Sequence, residues 1–126
     1  MLVIAMLALS VAAPRFSALL PGLTLKAETQ KTAALLRHLR SRAIATGEPQ
    51  RLEWDPDQHL IWVNRQPHHA LPEGIQLDLA DEEEQKTGLI FYPDGTAAGS
   101  GLSLSSGDQR YEIQLNWLTG RISVHG

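Results

Sequence analysis

The residues of this 126-residue chain that could do chemistry are confined to a few short stretches. His68-His69 is an adjacent pair. Neighbours on a strand project to opposite faces, so they do not readily chelate one ion, and a metal site is the lesser reading there. Asp81-Glu82-Glu83-Glu84 concentrates carboxylates. It is read first as a solvated loop, ahead of loose calcium binding and further ahead of paired-carboxylate catalysis. Ser100, Ser103, Ser105 and Ser106 lie in Gly/Ser-rich sequence without a G-x-S-x-G elbow, and Gly95 to Gly101 does not form a phosphate loop. The absence of cysteine removes disulfides, thiolate zinc sites and cysteine nucleophiles together. No convergent catalytic set is present, and no enzyme activity, cofactor or metal is expected.

Charge narrows the partners. The net charge is -3, and the eleven basic residues are scattered along the chain. A basic face of the kind that tracks a phosphate backbone is not apparent, so no nucleic acid is expected. The length allows one domain with a modest core.

The elements that would position any site begin with an apolar opening, MLVIAMLALSVAAPRFSALLPG. Leu2, Val3, Ile4, Met6, Leu7, Leu9 and Val11 precede Pro14, and Phe16, Leu19 and Leu20 follow it. As a helix, the part before Pro14 is roughly 20 Å long, against the ~30 Å of a bilayer core. No basic residue precedes it, as one would in a secretory signal, and cleavage after Ser10-Val11-Ala12-Ala13 would fall at a proline. A patch this apolar is expected to be buried in lipid or in other subunits.

From Leu23 to Thr46 the sequence reads as an amphipathic helix. Leu25, Thr29, Thr32, Leu36, Leu39 and Ala43 alternate at three- and four-residue steps, and Leu35 and Ile44 widen the stripe. Leu25, Leu35, Leu36, Leu39 and Ala43 are the face expected on a sheet. Glu28 is placed near the positive helix start, with Arg37, Arg40 and Arg42 near the negative end. Gly47, followed by Pro49, is the stop. About seven short strands follow: 51–54, 59–63, 75–79, 89–92, 102–105, 110–116 and 121–124. Asp55-Pro56-Asp57-Gln58 is read as the turn of the first hairpin, and Leu102, Leu104, Tyr111, Ile113, Leu115, Ile122 and Val124 as the inward set of the last strands. One helix followed by strands, with no βαβ alternation, predicts an α+β domain whose helix covers an antiparallel sheet or sandwich. Residues 1–22 form an apolar half and 23–126 the folded domain, with its helix over 23–46 and its strands over 48–126.

Three segments add a resemblance: LLRHLRSRAIATGEP at 35–49, FYPDGTAAGSG at 91–101 and NWLTGRISV at 116–124. With the long, half-apolar helix ahead of a small β domain, they resemble the H-type minor pseudopilins of the type II secretion system, the GspH family, to which FimT-like minor pilins are close. Arg42, Gly47, Phe91, Pro93, Asp94, Gly95, Trp117, Thr119 and Gly120 carry the match, and Pro14 matches the proline common in pilin helices. For Phe91 to Gly95 a strand ending in a tight turn is the first reading, for Trp117 with Leu118 closure of the core is, and a partner contact is the second for both.

The resemblance implies a pilin-like fold and a structural subunit at or near the tip of a periplasmic pseudopilus that supports export of folded proteins across the outer membrane. It implies single-pass anchoring in the bacterial inner membrane by the N-terminal helix, with the C-terminal domain in the periplasm. The implied partners are other minor and major pseudopilins and the inner-membrane assembly platform. A FimT-like type IV minor pilin and a soluble exported binding domain are the alternatives. The family's mature chain starts with an aromatic residue after a cleaved glycine and carries a glutamate at its fifth position. These are expected upstream of Met1, where two more turns would bring the apolar helix to about 30 Å.

Overall fold

A computed structural model describes the backbone of residues 2–79, 88–99 and 101–126, and the side chains within these from Leu23 onward. A single helix, α1 (Leu2–Thr46), precedes the strands. It ends as the glycine predicts: Gly47 adopts φ 73°, and its N–H donates to the carbonyl of Ala43 at 3.0 Å. Leu25, Ala33, Leu36, Leu39 and Ala43 are buried, and Leu35 is partly so. Thr29 and Thr32 share this face without unmet hydroxyls, because each donates to the carbonyl four residues back, Leu25 and Glu28, at 2.8 Å.

The strands are β1 (Gln50–Asp55), β2 (Leu60–Val63), β3 (Gln66–Ala70), β4 (Gln76–Leu79), β5 (Gly88–Phe91), β6 (Ala97–Ala98), β7 (Gly101–Ser106), β8 (Gln109–Leu115) and β9 (Ile122–His125). They form two antiparallel sheets, one ordered β3-β2-β1-β5-β6 and the other β4-β7-β8-β9. The fold is therefore α+β, one helix against two antiparallel sheets. Helix α1 lies against β1 and β5 of the first and β7, β8 and β9 of the second. One continuous core, including Leu52, Ile61, Leu89, Phe91, Leu102, Leu104 and Ile113, fills the space between.

Two strands beyond the expected seven are present among the described residues. β3 contains Pro67, His68 and His69, and its register shifts beside Ile61 and Trp62. Proline at an irregularity of an edge strand costs no ladder hydrogen bond. It follows a two-residue turn in which Asn64 and Arg65 both take positive φ, the I′ geometry that matches strand twist. β6 is only two residues long and pairs with the end of β5. Val124, expected to face inward, is instead 37% exposed on the edge strand β9. Asp55 closes the first hairpin, its carboxylate accepting from the N–H groups of Asp57 and Gln58.

Glu28 is the other correction. It lies in mid-helix rather than at a helix start, and its carboxylate is buried against Nε2 of His69 on β3 at 2.8 Å, with Lys31 at 3.8 Å. The acid is thus a tertiary tie between α1 and the first sheet. Glu28→Ala is expected to cost about 1.5–3 kcal/mol in urea unfolding, the range for a hydrogen bond to a charged group, and Glu28→Gln less.

Candidate functional site

The three segments that carry the resemblance meet at one corner. The last turns of α1 present Arg37 and Arg40 toward the loop joining β8 and β9. Arg40 Nε donates to the carbonyl of Thr119 at 3.2 Å, and Arg37 donates to that of Ile122 at 3.4 Å. Both guanidiniums therefore serve a tertiary contact rather than the helix end assigned to them from the sequence. The Ala97 N–H reaches the carbonyl of Trp117 at 2.8 Å, which joins the loop to the first sheet.

The 116–121 loop is held from within. The Asn116 side chain accepts from the N–H groups of Leu118 at 3.0 Å and Thr119 at 3.4 Å, and the Gly120 N–H donates to the Asn116 carbonyl at 2.7 Å. Thr119 Oγ1 accepts from the Arg121 N–H at 3.2 Å. Gly120 sits at φ 70°, and a Cβ there would meet the Gly95 carbonyl oxygen and the Arg40 side chain. The position needs glycine for its backbone angle and for this close approach.

The turn before β6 is built in the same way. Asp94 Oδ1 accepts from the hydroxyl of Thr96 at 2.6 Å and from its N–H at 2.9 Å. The hydroxyl bond first, then the backbone bond, holds the Asp94 carboxyl below its ordinary range. A depressed carboxyl stabilises the fold above its ordinary pKa, and that contribution is lost as pH falls through the lowered one. The melting-temperature gap between wild type and Asp94→Ala is therefore expected to close on acidification below the ordinary carboxylate range; a gap constant with pH contradicts this assignment.

The fixed loop turns two large apolar side chains outward. Trp117 is 63% exposed and Leu118 61%, so they do not close the core as first expected. The loop's own hydrogen bonds fix these positions, and no apolar period in the sequence announces them. Two open hollows flank the loop. One, of about 540 Å³, is walled by Arg37, Arg40, Ser41, Thr119, Gly120, Arg121 and Ile122. The other, of about 530 Å³, lies beside Trp117 and shares Arg121. Among the described ion pairs none involves Arg37, Arg40 or Arg121.

The remaining sequence candidates lie elsewhere. Arg42 is exposed, and its carbonyl accepts from Thr46 Oγ1; Phe91 is fully buried, Pro93 is half-buried and Gly95 is buried at the corner. His69 turns to Glu28, whereas His68 is exposed. Ser103 is buried on β7. Among the described residues no group of His, Cys, Asp and Glu could hold a metal, and no helix is long and apolar enough to cross a membrane. The acidic run 81–84 and Ser100 fall outside the described residues, and so do the side chains of the apolar set from Leu2 to Leu20.

Comparison with known proteins bears on the whole arrangement. Residues 28–120 match the family described as type II transport protein GspH. The type II secretion system protein H of Xanthomonas campestris pv. campestris is 34% identical over 130 residues, covering 97% of this chain and 76% of that protein. Among solved structures, the minor pseudopilin EpsH from the type 2 secretion system of Vibrio cholerae has a TM-score of 0.63 at 18% identity, over 81% of this chain and 96% of that one. The type IV minor pilin FimU of Pseudomonas aeruginosa also gives 0.63, at 13% identity, over 81% and 93%. These two likenesses speak for the fold.

Proposed function

The chain belongs to the GspH family, and from that membership we propose that it is a minor pseudopilin of a type II secretion system. In this reading it is a structural, non-enzymatic subunit of the cell envelope, incorporated at or near the pseudopilus tip. Its partners are other pseudopilins and the inner-membrane assembly platform. The observation that carries the reading is the 34% identity to a type II secretion system protein H across 97% of the chain. Nothing at the corner resembles a reaction centre. The side chains of Asn116 and Thr119 hold the loop in shape, which suits a part that is assembled.

Residues 1–22 are the apolar half of the helix, held in the inner membrane before assembly and against sister helices afterwards, with the β domain in the periplasm. Exchange between these two apolar surroundings gains little from the hydrophobic effect, so selectivity falls to close packing at Ala5, Ala8, Ala12 and Ala13 and to contacts between β domains. Leu7→Arg is expected to cost about 2.5–3.5 kcal/mol of insertion and to lower membrane retention and secretion together. Full secretion by a membrane-retained variant would remove this segment from the role of anchor.

Deleting the gene tests the function itself. Folded substrates should accumulate in the periplasm while type IV pili still assemble. Loss of pili with intact secretion would instead favour a type IV minor pilin, the second reading, whose fold FimU shares with this chain.

A further inference from the structure

The corner has the composition of a contact surface. Arg37 and Arg40 each give a donor to a backbone carbonyl, which fixes the guanidiniums and leaves their other N–H groups for the hollow. Arg121 is exposed between the two hollows. None of the three pairs with a carboxylate among the described residues. Beside them Trp117 and Leu118 stand out from a loop that is internally hydrogen-bonded, so little conformational freedom remains to be lost when something covers them. Arginine and tryptophan are the side chains that most often dominate protein contacts.

We propose that Arg37, Arg40 and Arg121 receive the carboxylates of an acidic segment of a neighbouring pseudopilin, whose apolar flank is covered by Trp117 and Leu118. This rests on the reading of the chain as a minor pseudopilin. Charge selects the occupant: planar guanidiniums pair with carboxylates in a bidentate fork, and three of them around one hollow match a short acidic stretch. A nucleic-acid duplex fits less well, because the chain carries fourteen acidic residues against eleven basic ones, a net charge of -3 that repels a phosphate backbone. The four open arginine and indole surfaces also explain why the loop is made rigid by Asn116 and Gly120 while contributing little to the core.

The test uses the full chain in cells that carry the complete secretion apparatus. A photoreactive benzoylphenylalanine is placed at position 118, and the crosslinked peptide is identified by mass spectrometry. The expected adduct is to another pseudopilin, at a peptide with Asp or Glu within a few residues of the crosslink. Arg121→Glu should lower the yield about tenfold, Arg121→Lys, which keeps the charge but loses the fork, should lower it by less than that, and Trp117→Ser, which leaves the charges in place, should also reduce it. Because Arg121 and Trp117 are exposed, these variants should melt as the wild type does. An adduct to a second copy of this chain, to DNA or to lipid, no adduct, or a yield unaffected by Arg121→Glu overturns the proposal. Secretion that survives gene deletion marks failure of the underlying reading. Secretion lost on deletion without an Arg121-dependent adduct marks failure of the docking surface alone.

Discussion

Truncation of Leu36 to alanine is expected to destabilise the folded chain by about 2–5 kcal/mol, the range for removing a fully buried leucine and leaving its space partly unfilled. Leu36 is 0% exposed on the face of α1 that meets both sheets. Leu36 belongs to the one core cluster that residues of the helix and of both sheets share, so its truncation removes packing from all three. For a domain of this size such a loss lowers the melting temperature by roughly ten degrees or more, read by circular dichroism. Leu23→Ala is the control, since Leu23 is 59% exposed and its loss should be nearly neutral. An equal effect of the two would remove the helix stripe from the core.

The second large effect belongs to Gly120. Alanine there is forced into a left-handed backbone and driven against Arg40 and the carbonyl of Gly95. The backbone term is about 1–2 kcal/mol, and overpacking adds about 1–3 kcal/mol. The loop is expected to shift and release the bond from Arg40 to Thr119, so stability and assembly should fall together. Gly107→Ala provides the contrast. It also has positive φ, but a Cβ there would meet nothing within 4 Å, so it should lose only the backbone term.

Much of the fold could be read from periodicity. The three- and four-residue spacing of Leu25, Leu36, Leu39 and Ala43 is visible in the sequence, and these residues are buried. Gly47 stops the helix where a positive φ is needed. β3 and β6 were hidden for physical reasons. A strand of Gln, Pro, His, His and Ala shows no alternation, and two alanines are too few to show any. The turn into β3 uses Asn64-Arg65, not the Asn-Gly that announces such a hairpin. Glu28 is not at a helix start because α1 runs on upstream to Leu2, and its tie to His69 is not legible because the partner lies 41 positions away. The corner was legible only as three separate stretches of resemblance: the bond from Arg40 to Thr119 spans 79 positions, and no local pattern reports it. Trp117 defeats the expectation for a large aromatic because a rigid loop, not solvent avoidance, sets its direction.

The way α1 crosses both sheets decides how the molecule answers a pull. From Leu25 to Ala43 the buried face extends ~27 Å along the helix axis at 1.5 Å per residue. A force applied along that axis loads these side chains side by side, as in shear, instead of peeling them off one at a time. The ties from Glu28 to the first sheet, and from Arg37 and Arg40 to the second sheet's last strand and the loop before it, sit toward opposite ends of that stretch. They act as stays against rotation of the β domain about the helix. A load applied along the helix would therefore move the β domain as one rigid head, and would reach the exposed 116–121 loop through the Arg40 tie.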